Sequence, residues 1–262
     1  GGQRWCRSLV QLTKEHKMAS IRIQNAMGCA VHRFAVAFLP LFVCMASAAA
    51  ETSVESANKV SVDTERFPVI PEEVTSFGAA VSDGSLYLYG GHMGRAHEYY
   101  AEAQGNTLWR LNLERPKAWE SLGNGPPLQG LAMVAHDGNL IRIGGFTAKN
   151  SDGEQSDLWS QSGVSRYDVK TGEWSDLPPM PEPRSSFDAA VMKDRVFVVG
   201  GWTMAGDADS EWLSTAYQLD LSSDDPAWEA LPQPPFERRA LSVAVLGSKL
   251  YAIGGMQKVG GP

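Results

Sequence analysis

Four glycine pairs, Gly90-Gly91, Gly144-Gly145, Gly200-Gly201 and Gly254-Gly255, recur at spacings of 54, 56 and 54 residues, and each closes a short apolar run. A fixed period of this size marks an array of equivalent supersecondary units and so sets the architecture before any local reading begins. Aligned on the pairs, the runs read AAVSDGSLYLYGG, MVAHDGNLIRIGG, AAVMKDRVFVVGG and VAVLGSKLYAIGG without a gap. Each is an apolar segment, a two-residue turn signal and a second apolar segment, which is a β-hairpin. Asp83-Gly84 and Asp137-Gly138 are the strongest turn dipeptides.

A third run with an aromatic follows in three units: Leu108-Trp109-Arg110-Leu111, Val164-Ser165-Arg166-Tyr167 and Ala216-Tyr217-Gln218-Leu219. A fourth carries Trp119, Trp174 and Trp228, which stand 29, 30 and 28 residues after the first glycine of their units. Proline-rich segments such as 177–183 then stop strand pairing. Four antiparallel strands in a unit of this length match a propeller blade. The second strands are apolar without alternation, so both faces must be covered, as stacked blades would do. First strands carry small residues, Ala79-Ala80 and Ala189-Ala190, which suits crowding near an axis. A sandwich of short strands is the rival, but it need not repeat its turn chemistry at one period.

The combination resembles the kelch family over residues 68–262: a diglycine ending strand two, an aromatic in strand three and a tryptophan opening strand four. The expected fold is therefore all-β, a kelch-type β-propeller array of about three and a half four-stranded blades. Residues 67–262 divide into blades at about 77–128, 129–183 and 184–237, with a partial one over 238–262. Kelch propellers usually have six or seven blades. Three units here are complete and the fourth stops after its second strand, so the chain reads as the front part of a longer protein. The alternatives are an arc that closes with a second copy and a degenerate product. Uncovered terminal blades would favour self-association.

Residues 1–50 have a different character. From Met27 the chain reads MGCAVHR, FAVAFLPLFVCM and ASAAA: a positive start, a short apolar stretch and small residues at a cleavage site. That is the form of a secretory signal peptide, cut after Ala48 or Ala50, with Met18 as the other start. The apolar stretch is too short to span a bilayer, and Val43 is too large for a lipoprotein box at Cys44. The expectation is an exported protein, periplasmic or secreted, with a polar lead-in at 51–66. Cys6, Cys29 and Cys44 all precede the cut, so no disulfide or thiolate chemistry remains. Residues 51–262 hold 17 basic and 29 acidic side chains, which argues against nucleic acid and anionic membranes as partners.

In such a blade the turns between strands two and three emerge opposite the tight one–two turns. They are long here, running from His92 to about Asn106, from Phe146 to about Ser162 and from Trp202 to about Leu213. Long loops on a rigid scaffold gather binding residues. The first holds His92, Arg95, His97, Glu98 and Tyr99, candidates for polar ligand contact. The set His92, His97 and Glu98 also allows a metal reading, but no ligand spacing supports it, so neither metal nor cofactor is expected. The plainer reading is a loop that hydrogen-bonds internally and packs its tyrosines. Asp207, Asp209 and Glu211 read as a solvated acidic loop, and Trp202 as either a sugar platform or a seal on the blade.

Arg184 and Arg238 each stand sixteen residues before a diglycine. The resemblance implies that arginines of this region help hold carboxylates in members that bind peptides or anions. The pattern is incomplete, because Val74 and Leu128 occupy the equivalent places. A structural pairing with Glu182 or Glu237 is the alternative. Two functions follow: a module recognising a protein or glycan through its strand 2–3 loops, or a carbohydrate-active enzyme resembling sialic acid mutarotase. The copper chemistry of galactose oxidase is excluded for this stretch, since no cysteine follows the leader in it. The mutarotase analogy would use His92, Glu98 and Arg184.

Overall fold

The computed structural model describes residues 66–257, so the leader reading and nearly all of the polar lead-in lie outside the described residues. Three four-stranded antiparallel sheets follow one another. The first orders β1 (Gly78–Ser82), β2 (Ser85–His92), β3 (Gln104–Asn112) and β4 (Glu120–Asn124) in sequence. The second contains β5 (Ala132–His136) and β6 (Asn139–Ile143). A side ribbon of β7 (Phe146–Ala148) and β8 (Leu158–Ser160) precedes its outer strands β9 (Val164–Asp168) and β10 (Glu173–Leu177). The third repeats this plan with β11 (Asp188–Met192), β12 (Arg195–Val199), ribbon β13 (Trp202–Thr203) and β14 (Glu211–Trp212), then β15 (Ala216–Asp220) and β16 (Trp228–Ala230). The fourth unit has a ribbon of β17 (Arg238–Arg239) with β20 (Met256–Gln257) around a hairpin of β18 (Ser242–Leu246) and β19 (Lys249–Ile253). These are three complete kelch-type blades and part of a fourth.

The first strands lie side by side, β1 against β5, β5 against β11 and β11 against β18, and form the inner edge of the arc. Hydrophobic burial sits between blades, where each sheet face is covered by the next. Tyr87, Tyr89 and Leu108 of the first blade pack on Leu131, Met133 and Leu140 of the second. Ile141, Ile143 and Val164 of the second pack on Phe187, Ala189 and Val196 of the third. A fully buried side chain of this kind stabilises by roughly 1.5–3 kcal/mol, so the inter-blade faces dominate the fold.

The diglycines are hinges between neighbours. Both residues of every pair have positive φ, for example 54° at Gly144 and 95° at Gly145. In the first three pairs a side chain at the first position would strike the backbone of the next blade: an added Cβ at Gly144 would lie 2.6 Å from the Arg184 carbonyl. In these pairs the second glycine donates its N–H to that same carbonyl, Gly91 to Leu128, Gly145 to Arg184 and Gly201 to Arg238, at 2.7–2.9 Å. A parallel relay runs along the inner edge. Gly130 N–H donates to Ser76, Ser186 to Gly130 and Ala240 to Ser186, at 2.6–2.8 Å. All four residues are left-handed, with φ of 50–61°.

Two expectations need correction. The strand 2–3 connections are not plain loops, because the chain re-pairs after the diglycine. In the first blade β2 and β3 continue past a bulge to join Gly91 with Gly105 and His92 with Gln104. In the second and third the ribbons pair Phe146 with Ser160 and Trp202 with Trp212. The sequence reading has stacked blades bury the strand-four tryptophans between them, whereas Trp119, Trp174 and Trp228 are half-buried. Trp119 and Trp228 use their indole N–H to hold the Pro68 and Pro178 carbonyls at 2.9 and 2.8 Å. Trp174 instead meets Tyr89 edge-on at 5.9 Å, with the Arg142 guanidinium 4.4 Å from its own ring and 4.6 Å from that of Tyr89.

Candidate functional site

The residue after each diglycine pairs back to the segment that leads into its own first strand: His92 with Thr75, Phe146 with Gln129, Trp202 with Ser185, and Met256 with Arg239. This pairing brings eight side chains to the inner edge of the arc, on the face that carries the strand 2–3 connections. Three of the four residues after a diglycine are aromatic rings.

The connections are fastened to one another across blades. Ala101 N–H donates to Asn150 O at 2.8 Å, and the Asn150 amide returns a bond to Tyr99 O at 2.9 Å. The Gln104 side chain clamps both backbone groups of Ala148, at 3.0 and 2.7 Å. Between the second and third blades Ser160 N–H donates to Met204 O, and Gly206 N–H to Leu158 O, at 2.9 and 3.0 Å. The Ser160 and Ser185 hydroxyls meet at 3.0 Å. Buried side-chain networks of this kind fix one conformation, so the three connections form a single platform. On the opposite face the one–two turns are two residues long, with His136 bonded to Asp194 at 3.1 Å across the second and third blades.

An aromatic row crosses the platform. Tyr99 packs on His92 at 5.0 Å and edge-on to Phe146 at 5.5 Å. Trp202 and Trp212 meet at 6.3 Å, and the Arg239 guanidinium lies 4.0 and 5.1 Å from their ring centres. Burial pulls the Arg239 guanidinium below its ordinary pKa, with the Tyr99 phenol acting in the other direction. Several buried donors and acceptors here have no protein partner: His92 Nδ1, both amide atoms of Gln129, Trp202 Nε1 and Arg239 Nε.

The structure separates the residues singled out by sequence. His92 is not a loop residue; it ends β2, is buried, and its Nε2 bonds the Arg95 carbonyl at 2.9 Å. Arg95 and Glu98 pair at 3.5 Å on the surface, and His97 is an exposed left-handed residue with φ of 68°. Among the described residues no three His, Cys, Asp or Glu side chains converge on one point.

Arg184 is wholly buried, and four hydrogen bonds occupy its terminal nitrogens. Nη1 donates to Gly200 O at 2.6 Å and Thr215 O at 3.0 Å. Nη2 donates to Glu182 Oε1 at 2.5 Å and Thr215 Oγ1 at 2.6 Å, and the Thr215 hydroxyl also reaches that carboxylate. Its fork is directed at the third blade. Arg238 holds the same repeat position but rests on Phe236 at 4.8 Å and donates to Gln257 at 3.3 Å. Phe146, Trp212, Gln129 and Arg239 were missed. The first was accessible, since aligning the residues after each diglycine shows His92, Phe146 and Trp202 in register.

Two family models, each described as a Kelch motif, match residues 127–181 and 183–235. Kelch-like protein 40 of Xenopus laevis is 30% identical over 197 residues, covering 73% of this chain and 28% of that protein. Kelch-like protein terF of Aspergillus terreus is 25% identical over 193 residues, covering 73% of this chain and 40% of that protein. Beta-scruin of Limulus polyphemus is 23% identical over 193 residues, covering 71% and 19%. The chain thus spans well under half the length of these curated relatives. The solved structure of YjhT superposes with a TM-score of 0.56 at 18% identity, over 72% of this chain and 60% of that one. At that identity the likeness concerns the fold.

Proposed function

Since this chain is a kelch-repeat protein, built of units that match the Kelch motif, we propose that it is a recognition module that binds a protein ligand on the platform formed by its strand 2–3 connections. One observation carries the reading: three connections bonded across blades hold the half-buried rings of Tyr99, Trp202 and Trp212 in fixed positions on one face. Rigid aromatic side chains with unmet donors beside them are the anchors that protein interfaces favour. The proposal includes export, from the apolar leader that follows Met27. The enzyme alternative lacks comparable support, because His92, Glu98 and Arg184 are, respectively, bonded to a neighbouring carbonyl, paired on the surface and fully enclosed.

The test is to pan a random peptide library against the full chain, with a glycan array run in parallel. Enriched peptides should bind the wild type and lose binding in Tyr99→Ala and Trp202→Ala, but keep it in His136→Gln on the opposite face. No enrichment, or binding indifferent to the platform substitutions, would refute the proposal. Glycan binding without peptide binding would transfer the site to a sugar ligand.

A further inference from the structure

The two ends of the arc are halves of one kind of interface. Each blade turns the residues three and one before its diglycine toward the next blade. Tyr87 and Tyr89 face Leu131 and Met133, and Ile141 and Ile143 face Phe187 and Ala189. Their counterparts in the third blade, Phe197 and Val199, are buried as well. In the fourth unit these positions are Tyr251 and Ile253, which are 42% and 57% exposed. At the other end Phe77 and Val81 are 40% and 59% exposed. The residues equivalent to them lie in seams with the preceding blade, Leu131 and Ala135 in the first seam and Phe187 and Val191 in the second. One end thus presents an apolar face built to receive a following blade, and the other a face built to cover a preceding one.

The backbone carries the same complementarity. A Cβ added at Gly144 or Gly200 would lie 2.6 or 2.5 Å from the Arg184 or Arg238 carbonyl, and the Phe187 and Leu241 side chains sit over these glycines. Gly254 has the same left-handed backbone, with φ of 64°, yet a Cβ there would meet nothing within 4 Å. The carbonyl at the matching repeat position of the first blade belongs to Val74, and the side chain to Phe77. Among the described residues the Gly255 N–H and the Val74 carbonyl have no backbone partner, and neither do the Ala240 carbonyl and the Ser76 N–H. Every donor, acceptor and apolar contact missing at one end is therefore present at the other. We propose that a second copy of this chain lays its first blade on the fourth unit of the first copy, and that the reciprocal contact closes a ring of two. Gly255 would then donate to Val74 and Ser76 to Ala240, with Phe77 over Gly254, all between copies. A head-to-tail contact of this kind closes when its rotation fits a ring. Each copy brings four inner strands, β1, β5, β11 and β18, so two copies place eight around the axis, within the about 4–8 at which propellers close.

The test follows the mass of the full chain by sedimentation over about a hundredfold range of concentration. Wild type should have the mass of two copies. Ile253→Asp blocks the fourth-unit face and Val81→Asp the first-blade face; both side chains are exposed in the single chain, so each variant keeps its fold. Each alone should fall to one copy, with the concentration of half-dissociation raised about tenfold or more. Mixed, the two variants should pair one to one, because the face left intact on each fits the face left intact on the other. With one contact in place of two, this pair should come apart at a higher concentration than wild type does. Wild type with the mass of one copy throughout overturns the proposal and leaves both faces to another occupant. Association unchanged in the variants, lost in only one of them, or not recovered on mixing overturns the head-to-tail contact. Mass that grows past two copies overturns the closed ring.

Discussion

Replacing Arg184 by alanine, with Arg238→Ala as the comparison, tests whether equivalent positions in the repeat do equivalent work. Arg184 stands at the start of the third blade and bonds that blade's Gly200 and Thr215 carbonyls, the Thr215 hydroxyl and Glu182 of the preceding segment. Alanine would leave two carbonyls and a hydroxyl of the third blade without this partner, and would take the cation from the Glu182 carboxylate. Removing one member of a buried ion pair costs about 3–5 kcal/mol. Glu182 keeps 29% of its side chain in solvent, so the lower end, about 3 kcal/mol, is expected. For a domain of this size each kcal/mol moves Tm by roughly 2–4 °C, so the variant should melt about 6–12 °C below wild type. Arg238 makes one long bond to Gln257 and one contact with Phe236, so its alanine variant should lose less than about 1 kcal/mol. Thermal and urea melts of the full chain, followed by near-ultraviolet circular dichroism, give both values. Equal losses at the two positions, or an Arg184→Ala variant within about 1 kcal/mol of wild type, would refute the reasoning.

Ala240 holds φ of 52°, which costs a side chain about 1–2 kcal/mol, so Ala240→Gly should raise stability by roughly 0.5–1 kcal/mol in a urea titration. The mirror change Gly144→Ala, which drives a Cβ against the Arg184 carbonyl, should lower it by more than about 2 kcal/mol. Burial raises the Asp188 pKa above its ordinary 3.8, against the N–H bonds it accepts from Val243 and Ala189. The folded state therefore binds this proton more tightly than the unfolded chain, and the contribution of Asp188 to stability falls as pH rises from 3.8 through the raised value. The wild-type curve minus that of Asp188→Asn should show that decline; a flat or rising difference would contradict it. N-terminal sequencing of chain exported by a host cell should begin at Ala49 or Glu51, and a product retaining Phe34–Met45 would contradict the leader reading.

The fold was legible because the diglycine period repeats a backbone requirement. Positive φ at Gly90-Gly91 and its counterparts admits few other residues, so the sequence had to display it. The turn at Asp83-Gly84 was legible for the same reason, with φ of 45° and 70°. The platform was only partly legible. Tyr99 came into view through its unusual loop, but its packing on Phe146 joins residues 47 apart in different units, and no local pattern encodes that contact. Arg184 illustrates the converse. Its position looked suited to a ligand, yet whether a guanidinium faces solvent or turns into its own blade depends on Thr215 and Gly200, which only the folded sheet brings to it.

The relay from Ser76 through Gly130 and Ser186 to Ala240, with the diglycine N–H groups that donate forward, bears on how the chain matures. During synthesis a finished hairpin emerges with its hinge amides still bonded to water, because their acceptors belong to the succeeding repeat. At roughly 5–20 residues per second a unit of this length takes about 3–11 s to follow. For that interval a newly emerged vane keeps one greasy side in solvent, and trigger factors or other holdases would find their work there. Released chains ending before Leu128 and after Leu177 should thus separate a protease-sensitive first blade from a protected one.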